Sequence, residues 1–591
     1  MDIYSILTLI GGLAFFLYGI STMSSGLEKV AGGRLEKLLK KMTSNPLKSF
    51  ALGAGITAVI QSSSAVTVML IGLVNSGIMQ LHQTVSVIIG ANVGTTITAW
   101  LLSLTGIQES AGAIFKLLKP ESFSPVLAMV GVLMFMSSKS NRRKSVGSVF
   151  LGFAILMTGM CFMAEAMAPL GELPGFQRAM VAFSNPFLGF VVGMILTMLI
   201  QSSSASIGIL QALTLVGGVS WGVAVPVILG QNMGTCISAI IASIGVNTNA
   251  KRVAGVHVVY NILSIGFFFP LYLITSIFIK NILFAHDITP FGVAAFHTVY
   301  NIFTALVLFP FANLIEKITI KFVPEKENSD TTVLLDDRLL LAPTLAISEC
   351  YKKTIEMAEL AQDNFISASR MLKSFHQKKA EQIVENEVKI DTYEDKLGSF
   401  LLKLSSKFLT EEDSNKISQI LSVIGDYERI GDHASNILKV AEKFRDMDKK
   451  LSDEAVEELK TIINADIEIL TLTLEAYQTE NLEISSQVEP LEAVIKKGVR
   501  RAKNNHIQRL KVGQCSAEVS FLFSDLLNDL RRIAAHCGNI ATSVIQLYDS
   551  TFDKHEYSHR DKAEDEEFTS RYKDYKSRYR VEKKELSENV S

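Results

Sequence analysis

AVIQSSSAVT, residues 58–67, places a glutamine and three serines inside an otherwise apolar stretch, and MLIQSSSASI, residues 198–207, repeats it. The two copies lie 140 residues apart, and the same offset joins Gly12 to Gly152, Gly19 to Gly159, Asn45-Pro46 to Asn185-Pro186 and Gln61 to Gln201. Downstream, GANVGT (90–95) aligns with GQNMGT (230–235). A constant, gapless offset over so long a stretch marks a duplication. A shorter echo relates His257, Tyr260 and Asn261 to His297, Tyr300 and Asn301.

Working outward, the 591 residues divide into unlike parts. Residues 1–321 carry 18 Lys+Arg against 9 Asp+Glu, whereas 322–591 carry 39 against 50. The first part holds the apolar runs Ile6–Ile20, Val85–Leu104, Val149–Met163 and Ile262–Ile279, of a length suited to a bilayer. Met1–Ile20 reads as a span rather than a leader, because MDIY is acidic and no small-residue cleavage pattern follows. The five cysteines form no close pair, so neither a disulfide framework nor a zinc motif is suggested. Nothing points to a nucleic acid as partner.

Charge orients the copies. The segment after the first span carries Lys29, Arg34, Lys37, Lys40, Lys41 and Lys48 against Glu28 and Glu36; its counterpart carries Arg178 with Glu165 and Glu172. Basic residues mark the cytoplasmic side, so the first segment is inside and the second outside. Lys139, Arg142–Lys144, Lys251, Arg252, Lys317 and Lys321 also fall inside if each QSSS segment enters the membrane and returns to its own side. The copies are then antiparallel, the inverted-repeat plan of secondary transporters.

At 1.5 Å per residue, the chain from Asn45 to Gln61 reaches about the middle of a ~30 Å hydrocarbon core. Broken backbone at that depth must be buried in protein or line a wet cavity. A re-entrant tip offers hydroxyl and carbonyl oxygens to a hard cation, and free helix-start N–H groups to an anion. Between Ser49 and Gln108, and between Val181 and Ala250, there is no Asp, Glu, Lys or Arg. An anion there needs helix termini and bound cations for neutralisation, which argues for cation coupling, with His82, His257 and His297 left as titratable groups. Serine clusters also ease close helix packing, and G-x-N-x-G-T also fits a packed helix bend. The His-x-x-Tyr-Asn pair reads as structural.

Paired QSSS motifs in inverted repeats, each followed by G-x-N-x-G-T, resemble the type II sodium–phosphate cotransporters over roughly residues 1–315. The resemblance implies Na⁺-driven symport of inorganic phosphate by alternating access. It implies a substrate and sodium region at Gln61, Ser62, Ser63, Ser64, Gln201, Ser202, Ser203 and Ser204, supported by Asn92, Thr95, Thr96, Asn232 and Thr235. The residues alone reach only a small anion with a cation.

Residues 322–338 read as a polar linker, and 339–550 as amphipathic helices with few Pro or Gly, a bundle. GDYERIGDHASNI (425–437) and NDLRRIAAHCGNI (528–540) form a second duplication, resembling the PhoU family of phosphate-regulatory bundles. That family implies a divalent or iron-type metal held by E-x-x-x-D pairs, here Glu387 with Asp391 and Glu428 with Asp432. The second copy has Ala493, Arg531 and Ala535 instead, which leaves one cluster, or simply a solvated acidic face. His433 and His536 read as bundle contacts. The tail, 551–591, reads as a loose segment or a solvent helix.

The expectation is therefore an all-α, multi-pass protein of the cell (inner) membrane: repeats at about 1–140 and 141–280, a final span at 291–314, and a cytoplasmic regulatory bundle. Homo-oligomerisation is left open. The rival readings are a membrane-anchored phosphate sensor that does not transport, and a serine hydrolase. The hydrolase lacks a G-x-S-x-G elbow and any nearby carboxylate.

Overall fold

The structure is a computed structural model and describes residues 3–31, 45–106, 120–138, 140–169, 185–279, 284–325, 335–407, 409, 411–447, 451–548 and 566–582. The basic residues Arg34–Lys41, Lys139 and Arg178, and the linker core 326–334, lie outside them. Among the described residues every named element is a helix, and two compact units divide between Leu345 and Ala346.

The first unit contains α1 (Ile3–Ala31), α2 (Pro46–Ile60), α3 (Ser63–Asn75), α4 (Leu81–Gly94), α5 (Thr96–Ser103), α6 (Pro120–Ser137) and α7 (Asn141–Met167). The second repeat continues as α8 (Pro186–Ile200), α9 (Ser203–Val216), α10 (Trp221–Gly234), α11 (Cys236–Ala242) and α12 (Thr248–Ile279). It closes with α13 (Pro290–Leu308) and α14 (Ala312–Phe322), joined by a short 3₁₀ turn; the apolar stretch Pro290–Phe322 includes the expected final span. Six stretches among the described residues are long and apolar enough to cross a membrane. The four half-helices α2, α3, α8 and α9, of 13 to 15 residues, are each too short for a ~30 Å core.

Glycine spacing fixes how the repeats meet. A Cβ on Gly12 would lie 2.9 Å from the Gly159 oxygen, on Gly19 2.3 Å from the Leu156 nitrogen, and on Gly152 2.4 Å from the Met23 nitrogen. Partner numbers fall along α7 as they rise along α1, so these equivalent helices run antiparallel with backbones touching. The repeats are inverted in fact as well as in charge. Phe16, Met23, Leu156, Met157, Met160 and Met163 fill the rest of this contact, unbranched Met adapting to the close approach.

The same device fixes the course of the half-helices. Cβ atoms on Gly90 and Gly94 would meet the oxygens of Phe50 and Ala54 at 2.0 and 2.3 Å, so α2 and α4 run parallel. The chain gets from the end of α2 to the start of α4 through α3, which therefore doubles back. Gly230 and Gly234 against Phe190 and Met194 repeat this between α8 and α10.

Beyond α14, Leu335–Leu341 folds back onto the first unit. Asp336, only 3% exposed, accepts a hydrogen bond from Asn75 at the end of α3 and from Arg338, whose Nη2 donates to the Ile244 carbonyl at 2.8 Å. Asn247 donates to Asn75 Oδ1 at 2.9 Å.

The second unit is a bundle of α15 (Pro343–Met371), α16 (Gln377–Ser405), α17 (Glu411–Asp446), α18 (Asp453–Thr479), α19 (Leu482–Lys511) and α20 (Ala517–Tyr548). In the tail, α21 (Glu566–Arg578) is helical and tied down: Arg578 pairs with Glu468, and Arg501 donates to the Val581 carbonyl.

Candidate functional site

Each half-helix pair is built by its own sequence. Asn45 caps α2 through a bond from the Leu47 N–H to its Oδ1 at 2.9 Å, and Pro46 takes the first helical position, where no N–H is needed. Asn185-Pro186 does the same for α8. The helices stop at Gln61 and Gln201, which adopt left-handed backbone at φ 61° and 57°. Among the described residues only Glu480 shares this region without being glycine. Ser62 and Ser202 then cap α3 and α9, their hydroxyls accepting from the Ala65 and Ala205 N–H groups at 3.2 Å. In QSSS the glutamine is thus a strained stop, the first serine a cap, and the next two open a helix.

The two tips touch. The Ser204 hydroxyl donates to the Gln61 carbonyl at 3.5 Å, across 143 residues of sequence. Both QSSS groups line one cavity of about 300 Å³. Ser63 and Ser203 are 3% and 7% exposed, line that cavity, and find no partner for their hydroxyls among the described residues. Their hydroxyls open on the cavity, where a ligand or water can bond them. Two helix N-termini, at Ser63 and Ser203, open on the same space.

The other expected residues sit elsewhere. Asn92 and Asn232 donate to the Ile88 and Ile228 carbonyls of their own helices at 2.9 and 3.0 Å, and Thr95, Thr96 and Thr235 likewise bond backbone three or four residues back. They brace the breaks α4–α5 and α10–α11 and do not line the cavity. These bonds are those of a packed helix bend.

Sequence reading missed several contributors. Thr98 donates to Gln61 Oε1 at 2.6 Å and fixes its side chain. Gln211 donates to the Ala99 and Pro290 carbonyls at 3.0 and 2.9 Å. Ser21, Ser24, Ser25 and Glu28 of α1 form a further cavity wall. Their spacing on one helical face was a usable signal.

In the second unit, Glu387, Asp391, Glu428 and Asp432 crowd between α16 and α17. Partial burial and the hydrogen-bonded Asp432 push Glu387 up to about 7; Asp391 and Glu428 are raised by burial and the same neighbour. No three His, Cys, Asp or Glu side chains among the described residues converge closely enough to hold an ion. The carboxylates form a crowded acidic face, and no step is derived through a metal. His433 and His536 donate or accept at Asp529 and Asp426, each at 2.8 Å, as reciprocal bundle contacts.

Inverted repeats and paired broken helices whose uncharged tips share one cavity define a membrane transporter, and the sequence pattern of the Na⁺/Pi-cotransporter family matches residues 15–165 and 175–281. The PhoU domain pattern matches 354–441 and 459–544. The chain belongs to the Na⁺/Pi-cotransporter family, as a multi-pass membrane protein joined to a PhoU domain. It is 23% identical over 562 residues to YjbB of Escherichia coli (strain K12), named provisionally as an inorganic phosphate export protein, covering 94% of this chain and all of that one. It is 30% identical to YqeW of Bacillus subtilis (strain 168), covering 53% of this chain and 97% of that one. Human sodium-dependent phosphate transport protein 2B is 31% identical over 106 residues, 18% of this chain and 15% of that one.

Proposed function

We propose that the chain carries inorganic phosphate across the cell membrane together with Na⁺, by alternating exposure of the cavity at the two QSSS tips. What carries this reading is that cavity: two helix N-termini and the Ser63 and Ser203 hydroxyls, from inverted repeats, converge on it. A helix end stabilises an anion by about 0.3–2 kcal/mol, and two such ends fall short of the several kcal/mol per charge that desolvation costs. Since the tips supply no positive side chain, cations bound beside the phosphate make up the difference, and serine and carbonyl oxygens are ligands suited to Na⁺.

Contacts and charge support a side of entry for each pair. Asn75 is bonded to Asn247, just before Lys251 and Arg252, so α3 ends on the basic, cytoplasmic side where α2 begins near Lys48. Gly218, after α9, is bonded to Asp287 in the loop following α12, on the opposite side. Each pair re-enters from its own face, and the PhoU domain, reached after Lys317 and Lys321, is cytoplasmic and regulatory. Na⁺ coupling favours inward phosphate movement under an inward sodium gradient, while the name of YjbB says export. A reversible carrier runs either way, so the gradients decide.

The test is flux of labelled phosphate in proteoliposomes with imposed Na⁺, K⁺ or pH gradients. Flux driven by Na⁺ alone, in whichever direction it points, and abolished in Ser63→Ala and Ser203→Ala chains that still insert, is the expected result. Equal flux in K⁺, or intact flux in both variants, overturns it; phosphate binding without flux points instead to a sensor.

A further inference from the structure

We propose that the second unit holds a site for a small anion with two or more linked phosphoryl groups, in the notch between α19 and the tail helix α21. The notch is basic on both walls. Lys497 and Arg501, spaced i, i+4, share one face of α19; opposite them stand Lys576, in the last turn of α21, and Arg580, just beyond it. Tyr572 and Tyr579 flank these four, and no Asp or Glu is in the lining. The site does not rest on the transport reading.

Anchors on both sides hold the tail in this place. Arg501 donates to the Val581 carbonyl and Asn505 to the Glu582 carbonyl, each at 2.9 Å, while Glu468 of α18 accepts from Arg578 and Tyr579. Tyr575 and Val581 are buried beneath it. Four like charges brought together repel one another, and the dipole of α21 offsets at most the charge in its last turn. Elsewhere in this unit buried or half-buried cations have carboxylate partners: Arg509 has Glu458 and Lys416 has Glu480. Lys497, Lys576 and Arg580 have none among the described residues. The anchors therefore fix an arrangement that an anion bridging the walls would relieve. Guanidinium forks and ammonium groups are the donors that phosphoryl oxygens take. The notch itself is about 10 Å³, room for one water, so the ligand lies across its mouth. A chain of phosphoryl groups can touch both walls from there; a single phosphate cannot. A nucleoside triphosphate and a short inorganic chain share this chemistry.

Binding of labelled tripolyphosphate and of labelled ATP to the full-length chain in detergent, without magnesium, tests this. The parent should bind both, inorganic phosphate should compete roughly tenfold more weakly or worse, and added salt should loosen binding. Lys497→Gln combined with Lys576→Gln should weaken binding about tenfold, and Arg580→Gln several-fold, at a parent-like melting midpoint, because these side chains hold no bond within the fold. Lys576→Arg should bind like the parent. Lys496→Gln and Lys573→Gln, outside the lining, should change little. Equal affinity for the two probes supports a site that reads phosphoryl groups alone; tighter ATP supports one to which the tyrosine rings add. A chain carrying Ser63→Ala and Ser203→Ala should bind both probes as the parent does. If those changes remove binding, the probes sit at the tips and the notch is overturned. No binding by the parent, equal losses in the outside variants, or capture only by vesicles of anionic phospholipid overturns it too. Binding that follows this pattern in a chain without Na⁺-driven flux leaves the notch standing and sinks the transport reading alone.

Discussion

Gln61 and Gln201 hold a backbone conformation that costs a non-glycine residue about 1–2 kcal/mol. Such strain persists where something else requires the side chain. The two differ in support: Gln61 is buried and held by Thr98 and the Ala58 carbonyl, whereas Gln201 is exposed at the cavity wall. Gln201→Gly removes the strain while forfeiting no side-chain hydrogen bond found among the described residues. We expect its thermal midpoint to match or exceed the parent's while Na⁺-dependent flux falls, because the carboxamide leaves the site. Normal flux in that variant would show the glutamine to be only a helix stop. At this scale the motif was legible because four polar residues in an apolar run have no cheap explanation. The left-handed backbone was not, since nothing in a glutamine announces it. Thr98 was equally silent, as a lone threonine in a helix usually satisfies itself against the preceding turn.

Elements pack here by backbone contact, and the glycines that permit it can be told from those that do not. On α2, a Cβ at Gly53 would lie 2.1 Å from the Val87 oxygen, while one at Gly55 meets nothing within 4 Å. Alanine is the better helix former by about 1 kcal/mol. Gly55→Ala should therefore leave the chain as stable as the parent or slightly more so. Gly53→Ala must push α2 off α4, which moves the Gln61 tip that α2 carries and weakens phosphate flux along with the melting midpoint. A scan of both variants for midpoint and flux decides it: if Gly53→Ala behaves like Gly55→Ala, α2 is not seated on α4 as described. The duplication at offset 140 and the alternating charge were enough to read the inverted repeats from sequence. That Asn92, Thr95 and their counterparts brace helix breaks was not, because a buried Asn bonded to its own helix and one facing a ligand look alike in sequence. The four acidic residues of α16 and α17 do lie side by side, where burial and the neighbouring carboxylates raise the pKa of Glu387, Asp391 and Glu428.

In the whole molecule the chain leaves the transport unit just after the knot at Asp336. That carboxylate, 3% exposed, accepts from Asn75, from the Arg338 N–H at 2.8 Å and from the Arg338 guanidinium. Asn75 in turn holds Asn247 at the start of α12, and it ends the helix that Ser63 begins. Three distant segments are thus tied at one point, and a pull on the chain beyond Asp336 bears on the far end of the helix that Ser63 begins. Asp336→Ala would strand the Asn75 amide and leave the Arg338 guanidinium only its bond to the Ile244 carbonyl, and a buried donor left without a partner costs about 1–3 kcal/mol. We expect the midpoint to fall, amide exchange to speed up in the last turn of α3, and the half-saturation for Na⁺ to shift, because the Ser63 end is no longer held from behind. Asp336→Asn keeps an acceptor for the Arg338 N–H and should lose less on all three counts. A parent-like midpoint and unaltered exchange at Leu73–Asn75 in Asp336→Ala would mean the knot bears no load, and that any signal from the helical unit enters the transporter by another route.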